Sequence, residues 1–214
     1  ILATSIFPSI SRFITNKEND RVKTLMEKGL IMVFLAAIPI LIGGVILAKP
    51  LIHLLYGEEY LPGVSAFQIL LFTPMFIFPQ LLLGNFILAH NKQNKLKLPV
   101  ALGSIGNVVF NALLIPAYGI VGCAIATVIA LFLTAFSTWR AAKNITAFST
   151  FYRLKKIIAS AIIMGIFCYV SNELGINVII NIIASAGVYF GVLYLFREAI
   201  IDELKLIFLR HKQN

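Results

Sequence analysis

The chain reads as an all-α protein: a polytopic transmembrane helical bundle of about six spans, preceded by a partial N-terminal helix. Three observations predict this. Of the 214 residues, 59% are hydrophobic and only 13% charged, with a mean hydropathy of +0.92. A soluble domain of that composition would leave large apolar surfaces in water, which soluble monomers avoid. The charges are clustered, and the gaps between them have membrane-spanning lengths. The basic residues also fall in alternate connections.

The first eight residues, Ile1 to Pro8, are apolar but too short to span, with neither an initiator methionine nor a basic flank. They read as the end of a transmembrane helix whose earlier part is left out, and not as a signal peptide. Residues 11–28 mix charges with Phe13, Ile14, Val22 and Leu25, as expected of a cytoplasmic loop that grazes the bilayer. No Asp, Glu, Lys or Arg separates Lys28 from Lys49, and about twenty helical residues cover the ~30 Å hydrocarbon core. A second uncharged stretch runs from Tyr60 to Asn91. A third, from Leu98 to Trp139, is about twice a span and is punctuated by Pro116 and Gly119, which predicts a helical hairpin. Two more follow, around Ile157–Asn172 and Leu174–Phe196. The spans are placed near residues 30–50, 66–89, 98–115, 119–139, 156–172 and 176–196. Four organisational units result: 1–28, truncated helix and loop; 29–140, four spans; 141–196, a loop and two further spans; 197–214, a basic amphipathic tail. In that tail Ile200, Ile201, Leu204, Ile207 and Phe208 recur at helical spacing.

Seventeen of the eighteen Lys and Arg fall in the connections on one face, Lys49 alone lying on the other. The positive-inside rule makes that face cytoplasmic, with both ends of the segment inside. The net charge of +9 is spread over short loops, which suits anionic lipid headgroups; no basic soluble domain exists to bind nucleic acid.

Pro39 lies in the first span and Pro74 and Pro79 in the second, so bent helices are expected; such kinks occur in transporters and in static bundles alike. Gly122, Ala126, Ala130 and Thr134 repeat every fourth residue and form a face that a second helix can approach closely. Gly103, Asn107 and Asn111 make a similar stripe on the third span. Each asparagine needs a partner, either a neighbouring helix, which is the commoner case, or a polar substrate. Gln80, Asn85, Asn107, Asn111 and Arg12 are the candidate substrate-binding residues, with Gln68 near a span end. Arg12 is equally a snorkelling residue at the boundary, and the amides equally helix glue.

Nothing resembles an enzyme site. His53, His90 and His211 are dispersed, and Glu58 and Glu59 are mere neighbours. Cys123 and Cys168 sit inside spans as packed thiols, without a metal-ligand or disulfide pattern. No ionisable side chain lies well inside a span, so a coupling site would have to lie outside this sequence. No cofactor or metal is implied.

Three ordered segments carry a resemblance: Ala3–Arg12; Pro50-Leu51-Ile52-His53-Leu54-Leu55-Tyr56-Gly57-Glu58-Glu59-Tyr60; and Asn107–Gly122 with Leu114-Ile115-Pro116-Ala117-Tyr118-Gly119. Together they resemble the oligosaccharide and polysaccharide (Wzx-like) flippases of the multidrug/oligosaccharidyl-lipid/polysaccharide exporter superfamily. The resemblance implies the second half of a MATE-like flippase, supplying the ninth to fourteenth helices to a missing N-terminal bundle. It implies transport of an undecaprenyl-diphosphate-linked oligosaccharide across the bacterial plasma membrane by alternating access, for O-antigen, capsule or exopolysaccharide. A drug or lipid exporter of the same superfamily is the alternative, and an integral-membrane biosynthetic enzyme a more distant one.

Overall fold

The computed structural model describes residues 2–148 and 151–196, and every regular element among them is helical. Seven α-helices follow in order: α1 Leu2–Thr15, α2 Asn19–Tyr56, α3 Val64–Leu70, α4 Thr73–Ala89, α5 Lys97–Lys143, α6 Phe151–Glu173 and α7 Val178–Leu195. The expected amphipathic tail, 197–214, lies outside the described residues.

Four helices are long and apolar enough to cross a membrane, and α3 with α4, bent by 40°, makes a fifth candidate. The 47-residue α5 reverses at Gly119, whose backbone sits at φ 54° and ψ −131°. That reversal turns it into the predicted hairpin and brings the passes to six. Only glycine reaches this region cheaply. The turn needs no loop: residues 97–118 and 120–143 stay helical up to Gly119, with Pro116 tolerated inside the first limb.

The two limbs touch through the small-residue stripes. A Cβ on Gly122 would overlap the Leu114 carbonyl, and one on Gly103 would overlap the Thr134 hydroxyl. Gly106 faces Leu133 in the same seam. Thr134 donates to the Ala130 carbonyl at 2.9 Å, which spends its polar group along its own helix and leaves an apolar face for the neighbour.

One expectation changes at the start of the chain. The segment read as a loop over 11–28 is helical except for a short turn: α1 ends at Thr15, Lys17 takes a positive φ of 58°, and α2 begins at Asn19. Glu18 pairs with Arg21 at 2.8 Å across this turn. The first span therefore rides on a helix of 38 residues, well beyond the hydrocarbon thickness at about 1.5 Å per residue. Charged turns at its start and the stretch up to Tyr56 project from the apolar middle.

α2 is the mast of the bundle. Near its beginning, Val22, Met26 and Leu30 pack with Ile10 of α1, Phe86 of α4 and Ala142 of α5. One to three turns later, Ile31, Phe34 and Ile38 pack with Ile157 and Met164 of α6 and Leu193 of α7. The connections collect at two ends. The turns carrying Lys17, Lys92, Lys95 and Lys143 lie at the end where the first cluster sits. Lys156 donates to the Phe196 carbonyl at 3.0 Å there, closing α7 against the start of α6. At the opposite end, Lys49 and His53 of α2 line one cavity with Asn172 at the end of α6 and Val178 at the start of α7.

Candidate functional site

The second span breaks between α3 and α4, and Pro74 is placed in the first turn of α4, where its missing N–H costs nothing. The break gives Gln68 of α3 a partner across the bundle: its Nε2 donates to the Val45 carbonyl of α2 at 3.0 Å. Leu71 packs against Gly44. The end of α3 is held on α2 by these two contacts, and Pro74 only starts the new helix.

Gln80 and Asn85 of α4 line a groove of about 370 Å³ against α5, opposite Leu131 and Thr138. The Thr138 hydroxyl donates to the Thr134 carbonyl at 2.8 Å, so the groove's polar character comes from the two amides. Asn107 and Asn111 are not among its lining residues. They engage each other instead: Asn111 Nδ2 donates to the Asn107 carbonyl at 2.8 Å and to Asn107 Oδ1 at 3.0 Å. These bonds run along one helix at i and i+4, where side chains are neighbours, rather than across to another. Asn111 Oδ1 is enclosed and accepts no hydrogen bond from the described residues. Arg12, at the end of α1, is exposed, with its guanidinium 5.4 Å from the centre of the Phe13 ring. The five candidates thus divide into a groove pair, a self-paired pair and a surface cation.

Of the two thiols, Cys168 is buried as expected; Cys123 is exposed, since it lies on the outer side of the hairpin away from the Gly122 seam. Both are free.

Sequence reasoning passed over a polar ladder on α7. Asn181, Ser185 and Tyr189, spaced four apart, are all buried. Asn181 donates to the Cys168 carbonyl of α6 at 3.0 Å, Ser185 donates to Asn181 Oδ1 at 3.0 Å, and the Tyr189 hydroxyl donates to the Leu35 carbonyl of α2 at 2.9 Å. The i, i+4, i+8 spacing was the available signal; the partners, on α6 and α2, were not readable from spacing. Beside the ladder, α2, α6 and α7 form an open pocket of about 390 Å³ lined by Pro39, Gly43, Leu47, Met164 and Phe190 among others. Its two buried polar neighbours, Ser185 and Tyr189, already spend their hydrogen bonds on protein, so the cavity offers apolar surface only.

Broken apolar helices, a re-entering hairpin and charges confined to two ends define a multi-pass membrane protein with a transporter-like bundle. The chain belongs to the lipid II flippase MurJ family, whose model matches residues 1–184. A solved structure titled lipid II flippase MurJ, in an inward closed conformation, shares the fold: TM-score 0.75 at 19% identity, over 94% of this chain and 44% of that one. The probable low-salt glycan biosynthesis flippase Agl15 of Haloferax volcanii is 22% identical over 90% of this chain and 41% of its own length. A probable lipid II flippase MurJ of Vibrio cholerae is 30% identical over 62% of this chain and 26% of its own. The chain spans less than half the length of these relatives. They are named as flippases, transporters rather than enzymes.

Proposed function

We propose that this chain forms one helical bundle of a flippase that moves a lipid-linked glycan across a membrane, working against a companion bundle of the same protein by alternating access. The family match over residues 1–184 carries this reading. The geometry agrees with the physical task, which is to keep a hydrated headgroup away from hydrocarbon while its lipid tail remains there. Gln80 and Asn85 supply uncharged hydrogen-bonding groups to the groove between α4 and α5, and the cavity beside α7 presents only apolar surface. Asn107, Asn111 and Arg12 are proposed as secondary contacts, Arg12 at the headgroup level of the basic end.

The cargo is proposed to be an undecaprenyl-diphosphate-linked oligosaccharide of a surface polysaccharide pathway, with the basic end cytoplasmic and the membrane the bacterial plasma membrane. Lipid II, the substrate printed in the family's name, is the second reading, favoured by the family model itself. Reconstitution of the complete protein in vesicles, with translocation of lipid-linked oligosaccharide and of lipid II measured in parallel, decides between them. Movement of neither, with transport of small cationic drugs instead, would refute the flippase reading.

A further inference from the structure

Pro39 stands in the middle of α2, deep in the apolar part of the bundle. A proline carries no amide hydrogen, so the carbonyl four residues earlier loses its helical donor. That carbonyl belongs to Leu35, and it is the one that accepts the Tyr189 hydroxyl at 2.9 Å. Tyr189 is 1% exposed and lies in the apolar cluster that joins α2, α6 and α7. In hydrocarbon no water can take the place of the lost amide, and an unpartnered carbonyl is costly.

We propose that Tyr189 is a latch: its hydroxyl replaces the amide hydrogen that Pro39 lacks and so couples the final helical hairpin, α6–α7, to the proline bend of α2. The geometry around the bond suits a joint rather than a rigid weld. Gly43 and Gly44 follow Pro39 by one turn and carry no side chain of their own, with Leu71 close against Gly44, and the pocket of about 390 Å³ opens along the Pro39–Gly43 side, so α2 has room to flex in that direction. α6 closes on α2 at the same level, where Gly165 leaves room for Ile42. The acceptor side of the latch, Leu35 and Pro39, lies within the matched residues 1–184, and the Tyr189 hydroxyl lies just beyond them. The latch stands independently of the transport reading, because it concerns the bond between two helices and no cargo.

The test is a double-mutant cycle in the complete protein, in detergent and in lipid bilayers. Tyr189→Phe should lower Tm by about 2–4 °C when residue 39 is proline. With Pro39→Ala the new amide hydrogen serves Leu35, and adding Tyr189→Phe should then leave Tm unchanged within about 1 °C. Equal losses in both backgrounds, or none in either, overturn the latch. Should Pro39→Ala fail to fold, spin labels at the exposed positions Lys23 and Leu55 of α2 decide. Their distance distribution should widen on Tyr189→Phe alone, and an unchanged distribution overturns the proposal.

Discussion

Gly119 and Gly122 stand three residues apart and do different work. Gly119 has open space around it and is required for its backbone angles; Gly122 has ordinary helical angles and is required because the Leu114 carbonyl lies where a Cβ would go. Gly119→Val should therefore destabilise by about 1–3 kcal/mol through backbone strain. Gly122→Ala should cost a similar amount by forcing the limbs apart, since a main-chain carbonyl cannot swing aside. Thermal melts of the two variants check the costs. Ser160 makes the opposite case: it is fully buried on α6 and its hydroxyl has no partner among the described residues. Ser160→Ala should leave Tm unchanged or raise it slightly, because an unsatisfied hydroxyl is removed at almost constant shape.

Helices of this chain meet by two different devices. Within α5 the limbs approach through small residues and make few polar contacts, so the seam is van der Waals packing, the usual adhesive where lipid is as apolar as the side chains. α7 adds to its apolar packing on α6 and α2 a ladder of buried hydrogen bonds. Asn181→Ala should weaken α7 docking by about 0.6–2 kcal/mol, because it strips the Cys168 carbonyl of a donor and Ser185 of an acceptor. Limited proteolysis at the Leu174–Asn177 turn would report it as faster cleavage. The hairpin was legible because glycine and proline punctuate an uncharged run twice a span long. The break between α3 and α4 was legible only as a bend, since Pro74 marks where α4 starts but not that Gln68 would reach across to Val45.

Across the whole molecule, charge settles one axis. Lys17, Asn94 and Asn144 lie in turns at one end, and Glu59 and Leu174 at the other. With Cys123 and Cys168 replaced, single cysteines at the first three should react with an impermeant reagent from one side of sealed vesicles and the last two from the opposite side. Labelling of Asn94 and Glu59 from the same side would contradict the bundle described above. The candidate site was only partly readable. Gln80 and Asn85 do share a groove, but Asn111 spends its amide donor on Asn107 along a single helix and leaves its own Oδ1 enclosed without a donor among the described residues, a local option that counting amides on a stripe does not reveal.

Sequence by itself determined the medium, the helical class, the number of passes and the end at which the positive charge collects. Each follows from the ~30 Å apolar slab and from the cost of charge within it, which act on every span separately. Only tertiary structure decided which helix is central, that α2 serves both packing clusters, and that a tyrosine 150 residues downstream answers the donor missing at Pro39. Those are relations between helices, and in hydrocarbon they are set by close approach and by finding a partner for each stranded polar group, neither of which leaves a periodic trace along one segment.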